Sequence, residues 1–310
     1  MILEIFFLIL GLIILIKSSD IVIEKSIELS QLTKLSKLAI GFIFLAVVTS
    51  LPEFAIMIIS SFEGNGILGI ATLLGANIAD IVLIFGVMTL FGSFMIIGKD
   101  FDRIYHAILI TSIIATFSLI LGRVDITFGI FALFMFYLFS TYILKEGFPI
   151  GGKEKPKLVT VEVIKCILMI LGGIALVIIS AKIVTDSAIA IANFFNVYQS
   201  LIGATIIPIG TTLPELAVCV TALKKLNIEL AVGNIIGSLV ANLALILGFG
   251  AIISTIAFDP IIKISIIFLL ITNAVFLIMA KRENFGLTQG MILLLIYLSY
   301  LALMFFIGVM

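Results

Sequence analysis

Two glutamates sit where glutamate is hardest to accommodate. Glu53 closes the run IGFIFLAVVTSLPE (residues 40–53) and Glu215 closes IGATIIPIGTTLPE (residues 202–215), at an offset of 162 residues without a gap. A carboxylate deep in an apolar segment costs on the order of 2.5 kcal/mol or more to insert in a bilayer, so its presence points to a function. Each acid follows a proline. Proline has no N–H and leaves the carbonyl four residues back without its helical donor, here Val48 for Pro52 and Gly210 for Pro214. Those carbonyls, the hydroxyls of Thr49, Ser50, Thr211 and Thr212, and the two carboxylates make an all-oxygen donor set. Oxygen donors suit hard cations such as sodium and calcium. The chemistry expected is cation binding at a site built from two related halves.

A second matched pair supplies another wall. Residues 71–80 (ATLLGANIAD) recur as residues 233–242 (GNIIGSLVAN) at the same offset. Asn234, Ser238 and Asn242 are four apart and fall on one helix face, as do their counterparts Thr72, Ala76 and Asp80. Asn77, three residues before Asp80, reaches the same face. One wall therefore carries an acid and the other an amide. Polar residues beside Gly75 and Gly237 could instead serve as interhelical glue, but an acid on such a stripe favours ion binding. The single histidine, His106, follows Arg103 near the start of a span, where an interfacial or capping role outweighs proton relay. Cys166 and Cys219 lie in apolar segments and read as small buried hydrophobes. Nothing suggests a haem, zinc or iron–sulfur site, and no cofactor is expected.

The elements that must position these groups are membrane helices. The chain is 63% hydrophobic and 12% charged with a mean hydropathy of +1.39, whereas soluble domains carry about 25% charged residues. A span needs about 20 apolar residues. Ten segments qualify, near 2–18, 38–61, 66–97, 104–122, 125–144, 160–182, 198–222, 229–257, 261–280 and 287–309. The third and eighth are long and glycine-rich, which predicts a break or a strong tilt. Residues 19–37 alternate charge with apolar residues and read as an extension of the first helix along the interface. The N-terminal apolar run has no preceding basic residue and no cleavage motif, so it is expected to remain as the first span.

The polar, Gly/Pro-rich stretch EGFPIGGKEKPK divides these spans into five and five. The predicted fold is all-α and polytopic: ten transmembrane helices as two inverted-topology five-helix repeats, residues 1–145 and 160–310, joined by a cytoplasmic linker at 146–159. An odd number of spans per half inverts the second copy, the arrangement that places transporter sites at the midplane between broken helices. Fifteen of the eighteen Lys and Arg fall on one side if the N-terminus is outside, so the positive-inside rule predicts both termini to be extracellular. Membrane lipid is the expected environment, and no nucleic-acid partner is expected.

At this point the residues carry a resemblance. Two five-span halves, each with a (G/V)-T-(S/T)-L-P-E helix followed by a GxxxG-type helix bearing Asp or Asn, resemble the sodium/calcium exchanger family of the cation/calcium antiporter superfamily, in its prokaryotic type. The resemblance implies a ten-helix antiporter that exchanges calcium for sodium by alternating access and is not an enzyme. Glu53 and Glu215 would jointly hold calcium or sodium, with Thr49, Ser50, Thr211 and Thr212 completing the shell. Asp80, Asn242, Ser238 and Asn77, and backbone at Ala46 and Pro208, would form adjacent ion positions. The first and sixth helices would slide against the remaining bundle. A site contained in one duplicated chain makes a functional monomer sufficient.

Four positions depart from the family pattern. The acid and amide are exchanged between halves as Asp80 and Asn242, Val48 replaces a glycine, Ala76 replaces a serine whose hydroxyl serves a sodium ion, and Pro208 stands where alanine is usual. The missing hydroxyl keeps a proton/calcium exchanger open as the nearest alternative, with a potassium-coupled variant behind it. A cation channel is less favoured, because its pore usually comes from symmetric subunits. A metalloprotease would need an H-E-x-x-H motif, which is absent, and an aspartyl intramembrane protease a second deep aspartate beside Asp80.

Overall fold

A computed structural model of the chain describes residues 2–33, 40–46, 49–64, 66–96, 98–147, 161–194, 207–282 and 284–309. Val48, residues 202–206 of the second motif, Lys34, Lys37, and linker residues 148–159 with Lys153, Lys155 and Lys157 lie outside the described residues.

The apolar runs wind into helices. These are α1 (Ile2–Thr33), α2 (Leu51–Phe62), α3 (Gly66–Phe91), α4 (Lys99–Leu121), α5 (Ile126–Gly147), α6 (Val161–Phe194), α7 (Leu213–Lys224), α8 (Ile228–Ile253), α9 (Pro260–Ala280) and α10 (Leu287–Val309). Among the described residues, eight of them are long and apolar enough to cross a membrane, all but α2 and α7. Large apolar side chains such as Phe6, Phe62, Ile120, Phe134, Leu168, Ile278 and Phe306 face outward. In water such exposure would be costly, and in lipid it is the expected surface. This is a multi-pass membrane protein.

The first helix continues past residue 18, as expected, and runs unbroken to Thr33. Two other expectations need adjusting. The second and seventh expected spans are each interrupted: a π-wound segment Gly41–Ala46 precedes α2, and a short helical turn Ile207–Thr211 precedes α7. The third and eighth are not broken. Each carries a π-helical turn instead, Ala79–Ile84 in α3 and Ala241–Ile246 in α8, so the ladder shifts register while the helix continues. Such turns are uncommon and concentrate at functional sites.

α3 and α8 form the centre, with 78% and 83% of their most apolar windows buried against 28–39% in the other six long helices. Around them the two halves exchange partners. α4 packs on the first part of α8 and α9 on the first part of α3, while α5 packs on the end of α8 and α10 on the end of α3. Glycines permit the close crossings. A Cβ at Gly248 would lie 3.3 Å from the Gly129 carbonyl, and one at Gly86 would lie 3.3 Å from the Gly290 carbonyl.

Short strands make the same exchange. β1 (Phe94–Met95) pairs antiparallel with β4 (Asn284–Phe285), and β2 (Arg123–Val124) pairs with β3 (Ile256–Ala257). Phe94 stacks on Phe285 at 5.4 Å where β1 meets β4. Outside this bundle α1 and α6 pack along each other, and Gly173 makes room for Val22, since a Cβ there would approach Val22 Cγ2 to 2.7 Å.

Candidate functional site

Both motifs fold the same way. Pro52 and Pro214 stand in the first turns of α2 and α7, so they restart helices rather than kink them. The ladder continues across each restart. Ser50 N donates to the Ala46 carbonyl at 3.1 Å and Phe54 N to the Ser50 carbonyl at 3.0 Å. Thr212 N donates to the Pro208 carbonyl at 3.1 Å and Leu216 N to the Thr212 carbonyl at 3.0 Å.

The sequences S-L-P-E and T-L-P-E match a capping box, in which the hydroxyl would bond its own helix. Neither hydroxyl caps its helix. Ser50 Oγ reaches across instead and donates to Glu215 Oε1 at 3.2 Å. Thr49 Oγ1 donates to the Leu45 carbonyl at 2.9 Å and Thr211 Oγ1 to the Pro208 carbonyl at 3.2 Å. The first motif therefore presents a hydroxyl to the second motif's acid.

The walls of the central helices join this cluster. Ser238 Oγ donates to Asp80 Oδ2 at 2.7 Å and lies 3.4 Å from Ser50 Oγ. Asn242 Nδ2 donates to Asn77 Oδ1 at 3.0 Å and approaches Ser238 Oγ at 3.5 Å, while Asn77 Nδ2 donates to the Leu239 carbonyl at 3.2 Å. Glu215 is an electrostatic neighbour of both Glu53 and Asp80. Asp80 and Asn242 each sit at the second residue of a π turn.

Two more predicted donors have local duties. The Ala46 carbonyl accepts from Ser50 N and from Thr49 Oγ1 at 3.3 Å. The Pro208 carbonyl accepts from Thr212 N, from Thr211 Oγ1 at 3.2 Å and from Thr212 Oγ1 at 3.0 Å. These helices are held against α3 and α8 by the glycines that the GxxxG-type pattern singled out. Gly75 meets Pro208, whose Cβ would lie 3.0 Å from an added Cβ, and Gly237 meets Ala46.

Electrostatics sharpen the picture. Glu53, Asp80 and Glu215 are at most 1% exposed, and no described lysine or arginine pairs with them. Glu53 Oε2, Asp80 Oδ1, Glu215 Oε2, Asn234 Oδ1 and Asn242 Oδ1 are buried without a hydrogen-bond partner. An uncompensated buried carboxylate costs several kcal/mol and an orphaned acceptor about 1–3 kcal/mol. Helix N-termini offset part of this, because Glu53 and Glu215 lie in first turns where the peptide dipoles favour negative charge. Cations or protons must supply the rest. Among the described residues no three carboxylate, imidazole or thiol side chains form a compact metal cage, so hydroxyl and amide oxygens have to complete any shell.

The remaining singled-out residues lie apart. His106 is exposed, its Nδ1 is 2.6 Å from the Asp102 carbonyl, and its ring packs on Tyr142 at 5.1 Å. Cys166 and Cys219 are free and buried. One contact was not legible in the sequence: Cys219 Sγ accepts from Asn234 Nδ2 at 3.4 Å. The four-residue step from Glu215 to Cys219 was the available signal.

A bundle of membrane helices closed around buried acids on paired, interrupted helices has the architecture of a secondary transporter. The model of the family described as "Sodium/calcium exchanger protein" matches residues 3–145 and 165–306. This chain belongs to that family, one of transporters rather than enzymes. It is 30% identical to inner membrane protein YrbG of Escherichia coli (strain K12) over 263 residues, 82% of this chain and 81% of that one. It is 25% identical to sodium/calcium exchanger MaX1 of Methanosarcina acetivorans over 350 residues, 97% of this chain and 98% of that one. Among solved structures, the sodium-calcium exchanger NCX_Mj superposes with a TM-score of 0.84 at 25% identity, over 97% of this chain and 98% of that one.

Proposed function

We propose that this chain is a secondary antiporter that exchanges calcium for sodium across the cell membrane by alternating access. The observation that carries the reading is the trio Glu53, Asp80 and Glu215, fully buried, drawn from both halves of the chain and without a basic partner among the described residues. Such a site needs cations to balance it. The shell is assigned to the two glutamates with Thr49, Ser50, Thr211 and Thr212. Adjacent ion positions are assigned to Asp80, Asn77, Asn242 and Ser238, with backbone oxygens near Ala46 and Pro208. The name of the relative MaX1 supports the calcium and sodium assignment.

The ten-span, inverted architecture belongs to this reading. Its support is the repeat of element boundaries at an offset of 162: α2 against α7, the two π turns, and β1 against β3. The halves are residues 1–145 and 160–310, with a cytoplasmic linker at 146–159 and both termini outside. The long contact between α1 and α6 suits them as the pair that slides against the bundle. The site lies within one chain, so a monomer is sufficient for transport.

Charge arithmetic shapes the cycle. Three ionised carboxylates are balanced by three sodium ions, whereas one calcium leaves a formal charge of minus one. Close like charges in a low dielectric favour one retained proton, which we assign to Asp80 in the calcium-bound state. Exchange requires sodium and calcium to compete for the same glutamates, since a ligand drives alternation only through differential affinity for the two states. A proton-coupled exchanger is the second reading, favoured by Ala76, which places no hydroxyl opposite Ser238.

The test is uptake of radioactive calcium into proteoliposomes under an outward sodium gradient or an outward proton gradient, with Glu215→Gln as the blank. Uptake driven by sodium is expected. Uptake driven only by protons would move the protein to the second reading, and full exchange in Glu215→Gln would overturn the site.

A further inference from the structure

Asn234 lies one helical turn from Ser238 on α8, is fully buried, and leaves its Oδ1 without a hydrogen-bond partner. The amide cannot simply be turned over. Its Nδ2 donates to Cys219 Sγ at 3.4 Å, and the thiol directs its own proton to the Ala231 carbonyl at 3.7 Å. A reversed amide would take its oxygen to the sulfur and require the thiol to turn away from the Ala231 carbonyl. The orphaned oxygen therefore points away from Cys219 and needs another partner.

Position gives that oxygen a role. Cys219 is four residues after Glu215 on α7, and Asn234 is four residues before Ser238 on α8, so both steps run toward the α7–α8 connection. Cys219 and Asn234 form the next layer outward from the central site, at about one helical pitch or 5.4 Å. The corresponding layer of the other half, 162 residues earlier, is built differently. Thr72 donates its hydroxyl to the Leu68 carbonyl at 2.9 Å, and Met57 fills the space left by Gly69 and Gly250. In that layer the hydroxyl is spent on its own helix and a thioether fills the space.

We propose that the Asn234 amide oxygen is a further cation position, a relay for calcium or sodium passing between the central site and the α7–α8 connection. Cys219 orients the amide through its sulfur. The inference rests on the exchanger reading and adds to it a polar step toward the α7–α8 connection. Loss of one neutral oxygen ligand is expected to weaken binding about fivefold, the scale of a single hydrogen bond.

The experiment uses the full chain in proteoliposomes, with Cys166→Ala leaving Cys219 as the single thiol. A small cationic methanethiosulfonate reagent is applied from each side in a calcium series. Modification of Cys219 is expected from one side only and is slowed by calcium, and Asn234→Ala raises the protecting calcium concentration about fivefold. Asn234→Asp, nearly isosteric, is expected to lower it, which separates ligation from packing. Equal modification from both sides, no modification from either, or protection unchanged in Asn234→Ala would overturn the relay. Transport lost in Glu215→Gln with Asn234→Ala protected like wild type removes this inference and leaves the exchanger reading standing. Transport retained in Glu215→Gln removes the exchanger reading itself.

Discussion

Ser50 and Thr212 occupy equivalent positions in the two motifs, yet their hydroxyls do different work. Ser50 Oγ donates to Glu215 Oε1 at 3.2 Å, across the boundary between the halves. Thr212 Oγ1 turns back to its own segment, 3.0 Å from the Pro208 carbonyl and 3.1 Å from the Ile209 carbonyl. A hydrogen bond to a charged group contributes about 1.5–3 kcal/mol, a factor of roughly ten to a hundred in affinity, whereas a local bond to a carbonyl contributes about 1 kcal/mol. Ser50→Ala also opens the chain Glu215–Ser50–Ser238–Asp80, because Ser238 commits its proton to Asp80. Ser50→Ala should therefore raise the half-saturating calcium concentration at least tenfold, and Thr212→Ala no more than about fivefold. Concentration-dependent calcium uptake in proteoliposomes reads the ratio, and thermal melting in detergent confirms that both variants remain folded. Equal losses in the two variants would refute the reasoning, as would a larger loss in Thr212→Ala.

Other substitutions probe other parts of the site. Glu53→Gln is expected to abolish exchange without lowering the thermal midpoint of the cation-free protein, since it removes a buried charge that has no counter-ion; a marked drop in the midpoint would point to a structural role. Asp80→Asn fixes the neutral form assigned to the calcium-bound state. Calcium beside Asp80 makes its proton easier to lose than in the empty site, so wild type should bind calcium more tightly as pH rises while Asp80→Asn stays flat, and parallel pH profiles in isothermal titration would sink the assignment. Gly237→Ala drives a methyl into Ala46, whose Cβ cannot rotate away, while Gly172→Ala meets nothing within 4 Å. Overpacking on this scale costs about 1–3 kcal/mol, so the first variant should melt lower and transport poorly, and the second should match wild type in both assays.

How much of this was legible in the sequence follows from the range of each interaction. The doubled L-P-E motif and the four-residue stripe are local patterns, and the helices that carry them form close to where the apolar runs lie. Their exceptions have local causes too. The prolines were expected inside continuous spans, but they begin α2 and α7, because a residue without an N–H fits the first turn better than the interior. The π turns left no mark in composition. Residues 79–84 and 241–246 contain neither proline nor glycine, and the register shift falls where Asp80 and Asn242 meet the other half.

The cross-half bonds were out of reach for a different reason. A capping-box sequence specifies that hydroxyl and acid are near one another, not which acid the hydroxyl will choose. Ser50 takes Glu215 rather than Glu53 because the segments that precede α2 and α7 are held on the opposite central helices, Ala46 against Gly237 on α8 and Pro208 against Gly75 on α3. With each motif seated on the other half's helix, neither half can assemble the site alone. A cation bound there would join the two halves directly, which is the coupling that a cycle of alternating access requires. Substitutions at the glycine contacts and substitutions at the carboxylates should therefore fail in the same transport assay for different reasons. The first kind separates the halves and lowers the melting temperature, and the second leaves the halves together with nothing to hold the ion.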